Sequence, residues 1–132
     1  MIGIDTNILL RFILADDQEQ LESVKAFLGA RSAEDPAFIS LLVLAEACWM
    51  LKRQYRYPND VIAGTFRELM SAEELLFEDE SFVDGLLIEE ARLGADISDY
   101  IIAHMSNNAG CRATVTFDRK AAKSVPGMEL LQ

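Results

Sequence analysis

Short apolar runs alternate with longer stretches of helical periodicity from one end of this 132-residue chain to the other. The runs have the length of buried strands, and the stretches between them repeat apolar residues at helical spacing. Strands separated by a helix pair in parallel, because the crossover returns the chain to the same end of the sheet. The alternation therefore predicts a three-layer α/β/α sandwich around a central, mostly parallel sheet of about five strands.

Turn and cap residues set the bounds of the predicted elements. Strands are expected at 2–5, 37–39, 75–77, 112–117 and 128–131. Helices are expected at 7–14, 18–28, 41–53, 58–70, 81–94, 100–108 and 118–124. The helix at 81–94 should turn Ala91 inward with its other apolar residues. Since no linker, repeat or low-complexity tract interrupts this series, we predict a single domain over residues 1–132.

Composition restricts the class of protein. Hydrophobic residues make up 51% of the chain and charged residues 26%, which is typical of a globular domain. No apolar run reaches the roughly 18 residues of a membrane helix, and the N-terminus lacks the features of a signal peptide. A cytoplasmic protein without a membrane segment is therefore expected. Cys48 and Cys111 lack the spacing of a zinc site, and no nucleophile motif accompanies His104.

The net charge of −10 argues on its own against a nucleic-acid ligand. Phosphate contacts are made by lysine and arginine, which are outnumbered here by acids. Bound divalent cations would cancel several of these charges, and a basic protein partner would cover others. Composition alone does not choose among these interpretations.

Five acidic residues stand where predicted elements begin or end, or close to such a point. Asp5 ends the first strand, Asp118 follows the fourth, and Asp96 and Asp99 open a helix. Glu46 lies in the helix after the second strand, which is so apolar that we expect it to be buried on most sides. Ligand sites of open parallel sheets form beyond the carboxyl ends of the strands, so these acids are candidates for one site.

A simpler interpretation is that each aspartate caps a helix, since its charge suits the helix dipole. Glu46 is harder to explain in this way, because a buried carboxylate needs a cation or a hydrogen-bond partner. Clustered carboxylates repel one another, and a divalent cation removes that repulsion. Mg²⁺ and Mn²⁺ prefer oxygen ligands, and such a site activates water and neutralises a phosphodiester. The acids therefore favour a metal-dependent hydrolase.

Four segments resemble, in family order, the motifs of PIN-domain ribonucleases, and in particular the toxin subunit of VapBC toxin–antitoxin pairs. They span nearly the whole chain, at residues 4–10, 44–49, 96–103 and 116–119. The resemblance implies that Asp5, Glu46 and Asp99 are the core metal-binding acids. It implies that Asp118 is a fourth catalytic and metal-binding acid, and that Asp96 is an accessory metal ligand.

The resemblance further implies an endoribonuclease that uses Mg²⁺ or Mn²⁺ and leaves a 5′-phosphate. Its expected partners are an RNA substrate, a cognate antitoxin and a second copy in a homodimer. Thr6, Asn7 and Thr116 are expected to donate supporting hydrogen bonds. Arg11 and Arg119 are the favoured RNA contacts, because each lies close in sequence to a site acid. Other candidates for RNA contact are Lys52, Arg53, Arg56, Arg112 and Lys120.

Two other classes remain open at this stage. A phosphatase could use Asp5 as its nucleophile, but haloacid-dehalogenase-type enzymes have a second aspartate where Asn7 stands. A receiver domain would carry its aspartate at the third strand, where the residues at 75–79 match poorly. The remaining class is a non-catalytic RNA- or protein-binding module on the same fold. It would bind without metal-dependent cleavage.

Overall fold

The computed structural model describes residues 1–89 and 93–132, and strands and helices alternate along it as the sequence predicts. Its strands are β1 (Ile2–Gly3), β2 (Ala37–Ile39), β3 (Leu75–Phe77), β4 (Thr114–Thr116) and β5 (Met128–Leu130). Its helices are α1 (Thr6–Leu14), α2 (Gln18–Gly29), α3 (Leu41–Arg53), α4 (Asn59–Met70), α5 (Glu80–Ile88), α6 (Ile97–Asn108) and α7 (Arg119–Ser124). The predicted position of Ala91 lies outside the described residues. No helix in the described ranges is long and apolar enough to cross a membrane.

All strand pairs are parallel, which confirms the predicted α/β class. β2 lies between β1 and β3, with Ala37 beside both Ile2 and Leu75. β4 pairs with β5 in a separate ladder, in which Thr114 lies beside Met128. Within the described residues, backbone hydrogen bonds thus group the strands as three and two. β1 is shorter than predicted, because the chain leaves it before Asp5 to begin α1.

The main hydrophobic core packs the three-stranded sheet against the surrounding helices. Phe66 of α4, Leu51 of α3 and Leu87 of α5 are completely buried within it. Burying one such side chain stabilises the fold by about 1.5–3 kcal/mol. A smaller second cluster joins α6, α7 and β5, and consists of Ala95, Ala103, Ala121, Val125 and Met128. Because α6 contributes side chains to both clusters, it packs against both of them.

One face of α3 is open to solvent, which corrects the prediction that this helix is buried on most sides. Leu42 is 69% exposed, Trp49 is 47% exposed, and Glu46 is also exposed. The opposite face is buried and consists of Leu41, Leu44, Ala47, Cys48 and Leu51. Apolar composition misled here because apolar atoms contribute much of the surface of any folded protein. Glu46 is therefore not a buried carboxylate and needs no partner to offset burial.

Candidate functional site

The five predicted acids lie in two groups that line separate pockets. Asp5 and Glu46 line one pocket, together with Thr6, Asn7, Leu42, Val43 and Met50. Asp96, Asp99 and Asp118 line another. Within residues 1–89 and 93–132, no group of three or more histidine, cysteine, aspartate or glutamate side chains is placed to hold a metal ion. The sequence predicted one shared edge, and the structure places two of these acids in the lining of one pocket and three in the lining of another.

Asp5 is the N-cap of α1 as well as a lining residue of its pocket. Its Oδ1 accepts a hydrogen bond from the backbone N–H of Ile8 at 3.0 Å. Such a cap stabilises a helix by roughly 1 kcal/mol. Thr6 is buried and Asn7 is exposed beside it. The capping and ligand interpretations of Asp5 are compatible, because the cap engages only one carboxylate oxygen.

Glu46 extends from the exposed face of α3 into the same pocket as Asp5. In the described part of the chain its carboxylate makes no ion pair and no hydrogen bond. It is therefore the acid of the first group that is most available to a ligand.

Asp99 lies in the first turn of α6 and is the acid whose ionisation is most affected by its surroundings. Burial raises the pKa of its carboxyl, and the charges of Asp96 and Asp118 raise the pKa further. A backbone hydrogen bond and the charge of Arg53 act in the opposite direction. The carboxylate of Asp99 is thus partly buried beside two other acids, an environment that a bound cation relieves.

Asp96 is neutralised by cations of the protein itself. The Nε and Nη2 atoms of Arg53 donate to its Oδ2 at 3.1 and 2.7 Å, and Lys52 Nζ lies 3.5 Å from its Oδ1. Lys52 also donates to the side chain of Asn59, whose Nδ2 donates to the carbonyl of Ala95 at 3.1 Å. These contacts join the end of α3 to the starts of α4 and α6. They favour a structural role for Asp96 over the role of metal ligand.

Asp118 caps α7, because its Oδ1 accepts from the backbone N–H of Ala121 at 3.0 Å. The Oγ1 of Thr116 accepts from the backbone N–H of Asp118 at 3.0 Å. Thr116 therefore stabilises the turn that carries Asp118.

The two basic residues that the sequence favoured do not line the pocket of Asp99. Arg11 pairs with Asp16 at 2.8 Å, and this hydrogen bond raises the pKa of Arg11. Arg119 lines a different pocket, with Phe117, Leu130, Leu131 and Gln132. The cations that line the pocket of Asp99 are Lys52, Arg53 and Lys120. Arg11 also lines a groove with Asp5 and Asn7, and nothing in the sequence marks Asn59 as a member of the pocket of Asp99.

Parallel strands with acids beyond their ends and at the starts of helices are the arrangement in which open α/β sheets form ligand sites. The PIN domain family matches residues 2–126, so the chain belongs to that family. PIN domains are generally metal-dependent nucleases that act on RNA or DNA, which places this protein in the nuclease class of hydrolases. No match to the chain is found among curated proteins or among solved structures.

Proposed function

We propose that this protein is an endoribonuclease that requires Mg²⁺ or Mn²⁺ and serves as the toxin of a type II toxin–antitoxin system. The observation that carries the proposal is the environment of Asp99. Its pKa is raised by burial and by two neighbouring acids, although the site lies at the start of a helix. Together with the unpaired carboxylate of Glu46, it offers the oxygen ligands that these cations prefer.

Four acids fit the donor chemistry of such a cation. We assign Asp5 and Glu46 from one pocket and Asp99 and Asp118 from the other. A bound divalent cation would supply activation of water and neutralisation of the phosphate charge. Asp96 is left out of this set, because its carboxylate is already paired with Lys52 and Arg53. Its role is to fix the start of α6, from which Asp99 extends.

The chain is acidic overall, so its RNA contacts must be local. Lys52, Arg53 and Lys120 surround the acids of the second pocket. Cations at this place would contact phosphates on either side of the cleaved bond. Lys120 makes no ion pair within the described residues and is the most available of the three.

The net charge of −10 also suits a basic partner, and we assign that role to an antitoxin. A groove beside β1, α1 and α2 is lined by apolar side chains, with acids among them. An amphipathic segment with basic residues fits a surface of this kind. Its lining includes Ile2, Ile4, Ile8, Phe27, Asp17 and Glu19, and it shares Asp5 and Asn7 with the pocket of Glu46. We also propose that the protein forms a homodimer and is located in the cytoplasm.

Cleavage of a mixed RNA pool tests the proposal, with Mg²⁺ or Mn²⁺ and with EDTA, beside an Asp5→Asn, Asp99→Asn double variant. Asparagine is chosen because it preserves the cap of α1. We expect fragments with 5′-phosphate ends from the wild type with metal, and none with EDTA or from the folded variant. Cleavage by the variant at the wild-type rate would contradict the site assignment.

A second candidate function is a non-catalytic binding module. It is favoured by one observation, that no three acids in the described ranges are placed around a shared ion. A folded wild-type protein that binds RNA with divalent cations present but never cleaves it would establish this alternative.

A further inference from the structure

The exposed face of α3 forms a continuous row of four side chains. Leu42, Glu46, Trp49 and Arg53 are separated by four, three and four residues, so they follow one another along the same face. All four are exposed, whereas the residues on the opposite face are buried. We refer to these four residues as the α3 row.

The α3 row connects the two groups of acids. Glu46 lines the pocket that contains Asp5, and Arg53 lines the pocket that contains Asp99. Trp49 lies between them, about one helical turn from each. A chain that crosses from one acid pocket to the other along this face must pass over Trp49.

Trp49 is the only tryptophan of the protein, and it is 47% exposed. Within the described residues it contacts no other aromatic ring and no cation. A large aromatic side chain that remains exposed beside a candidate site has a free face on which a ligand can stack.

We propose that Trp49 is a stacking platform for an unpaired nucleobase of single-stranded RNA, a role that rests on the proposed ribonuclease function. The base stacks on the indole, while the flanking phosphates lie near Arg53 and Lys52 at the end of α3. Every nucleobase has a π-face, so the platform selects for an unpaired strand and is tolerant of sequence.

Charge favours RNA over a second protein chain as the ligand of this row. Trp49 is flanked by Glu46 on one side and Arg53 on the other. A protein interface would have to desolvate the carboxylate of Glu46, and interface centres are depleted of glutamate. A nucleotide instead combines a flat apolar base with a charged phosphate, which matches an indole beside a guanidinium.

The fluorescence of the single tryptophan gives a readout that does not depend on catalysis. Wild-type protein is titrated in Ca²⁺ buffer at low ionic strength with short oligoadenylate, with an abasic strand of equal length, and with the oligoadenylate in a duplex. We expect saturable quenching by the single strand, and little by the abasic strand or the duplex. No quenching by the single strand would overturn the proposal, as would equal quenching by all three.

Matched variants separate stacking from general binding, with labelled oligoadenylate followed by anisotropy. Trp49→Leu should weaken binding about tenfold, and Trp49→Phe should stay within about threefold of wild type. Tyr55→Leu removes another exposed aromatic ring, outside the row, and should have no effect. Wild-type affinity in folded Trp49→Leu would refute the platform. A shift from dimer to monomer in that variant, with RNA affinity unchanged, would assign the row to a second copy.

The two proposals fail in distinguishable ways. Quenching and base-dependent binding without any RNA cleavage would leave the platform in place and remove the nuclease. RNA cleavage that is insensitive to Trp49→Leu would leave the nuclease in place and remove the platform.

Discussion

Arg53 holds Asp96 through two hydrogen bonds to the same carboxylate oxygen, at 3.1 Å from Nε and 2.7 Å from Nη2. The pair links the last residue of α3 to the N-cap position of α6, although Asp96 makes no cap hydrogen bond of its own. Its carboxylate is only 12% exposed. The start of α6, and with it the position of Asp99, therefore depends on a cation from a distant part of the chain.

A double-mutant cycle with Arg53→Gln and Asp96→Asn should show coupling of about 1 kcal/mol in the free energy of unfolding. The expected value is modest because Arg53 is half exposed, where ion pairs contribute little. Denaturant unfolding of the four proteins measures it. Arg67→Gln is the control, since Arg67 is exposed on α4 and makes no ion pair in the described residues. Strictly additive effects would show that the pair does not act as a unit.

Replacing Asp99 by asparagine should raise the melting temperature of the metal-free protein at neutral pH. The pKa of Asp99 is raised in the folded state, so folding disfavours its charged form. This destabilisation is absent below the pKa of the unfolded chain and grows as pH rises through the raised pKa. The melting temperature of Asp99→Asn should therefore exceed that of wild type at a pH above the raised pKa. The difference should vanish at a pH below the pKa of the unfolded chain.

Melting curves in EDTA across pH measure this difference, with Asp84→Asn as the control because Asp84 is an exposed acid of another helix. A lower melting temperature for Asp99→Asn at neutral pH would contradict the account. With Mn²⁺ added, the order should reverse, because the wild type gains stability from binding an ion that the variant binds poorly.

Gly94 is required where the chain approaches α7. A Cβ added there would lie 2.7 Å from the Cβ of Ser124 and closer still to its Oγ. Gly94→Ala should therefore lower stability by about 1–3 kcal/mol through overpacking. Ser124→Gly should recover part of that loss in the double variant, as chemical unfolding would show. Equal destabilisation by Gly94→Ala in both backgrounds would indicate a different cause.

Local features of the sequence predicted most of the elements. The helix predicted at 41–53 is α3 with the same bounds, and Ser40 caps it by accepting from the backbone N–H of Val43. Which face of α3 is exposed could not be predicted, because that depends on what packs against the helix. The ion pair between Arg53 and Asp96 was missed for the same reason, since 43 residues separate the partners.

The candidate acids were easier to find than their arrangement. The four aspartates stand at boundaries that the sequence marks, where a carboxylate has both a capping and a ligand interpretation, and Glu46 stands inside a helix. Their division between two pockets depends on how distant elements pack, because the residues that line each pocket come from separate parts of the chain.

Glu46→Gln is the most direct test of the metal-dependent nuclease, because Glu46 is exposed and has no other role in the described structure. The cleavage rate of end-labelled single-stranded RNA in Mn²⁺ is compared for wild type, Glu46→Gln and Glu22→Gln. Glu22→Gln is the matched control, because Glu22 is an exposed glutamate of α2. We predict a loss of at least about a hundredfold for Glu46→Gln, with unchanged melting temperature in EDTA and full activity in Glu22→Gln. Wild-type cleavage by Glu46→Gln would contradict the assignment of the carboxylates as the catalytic site.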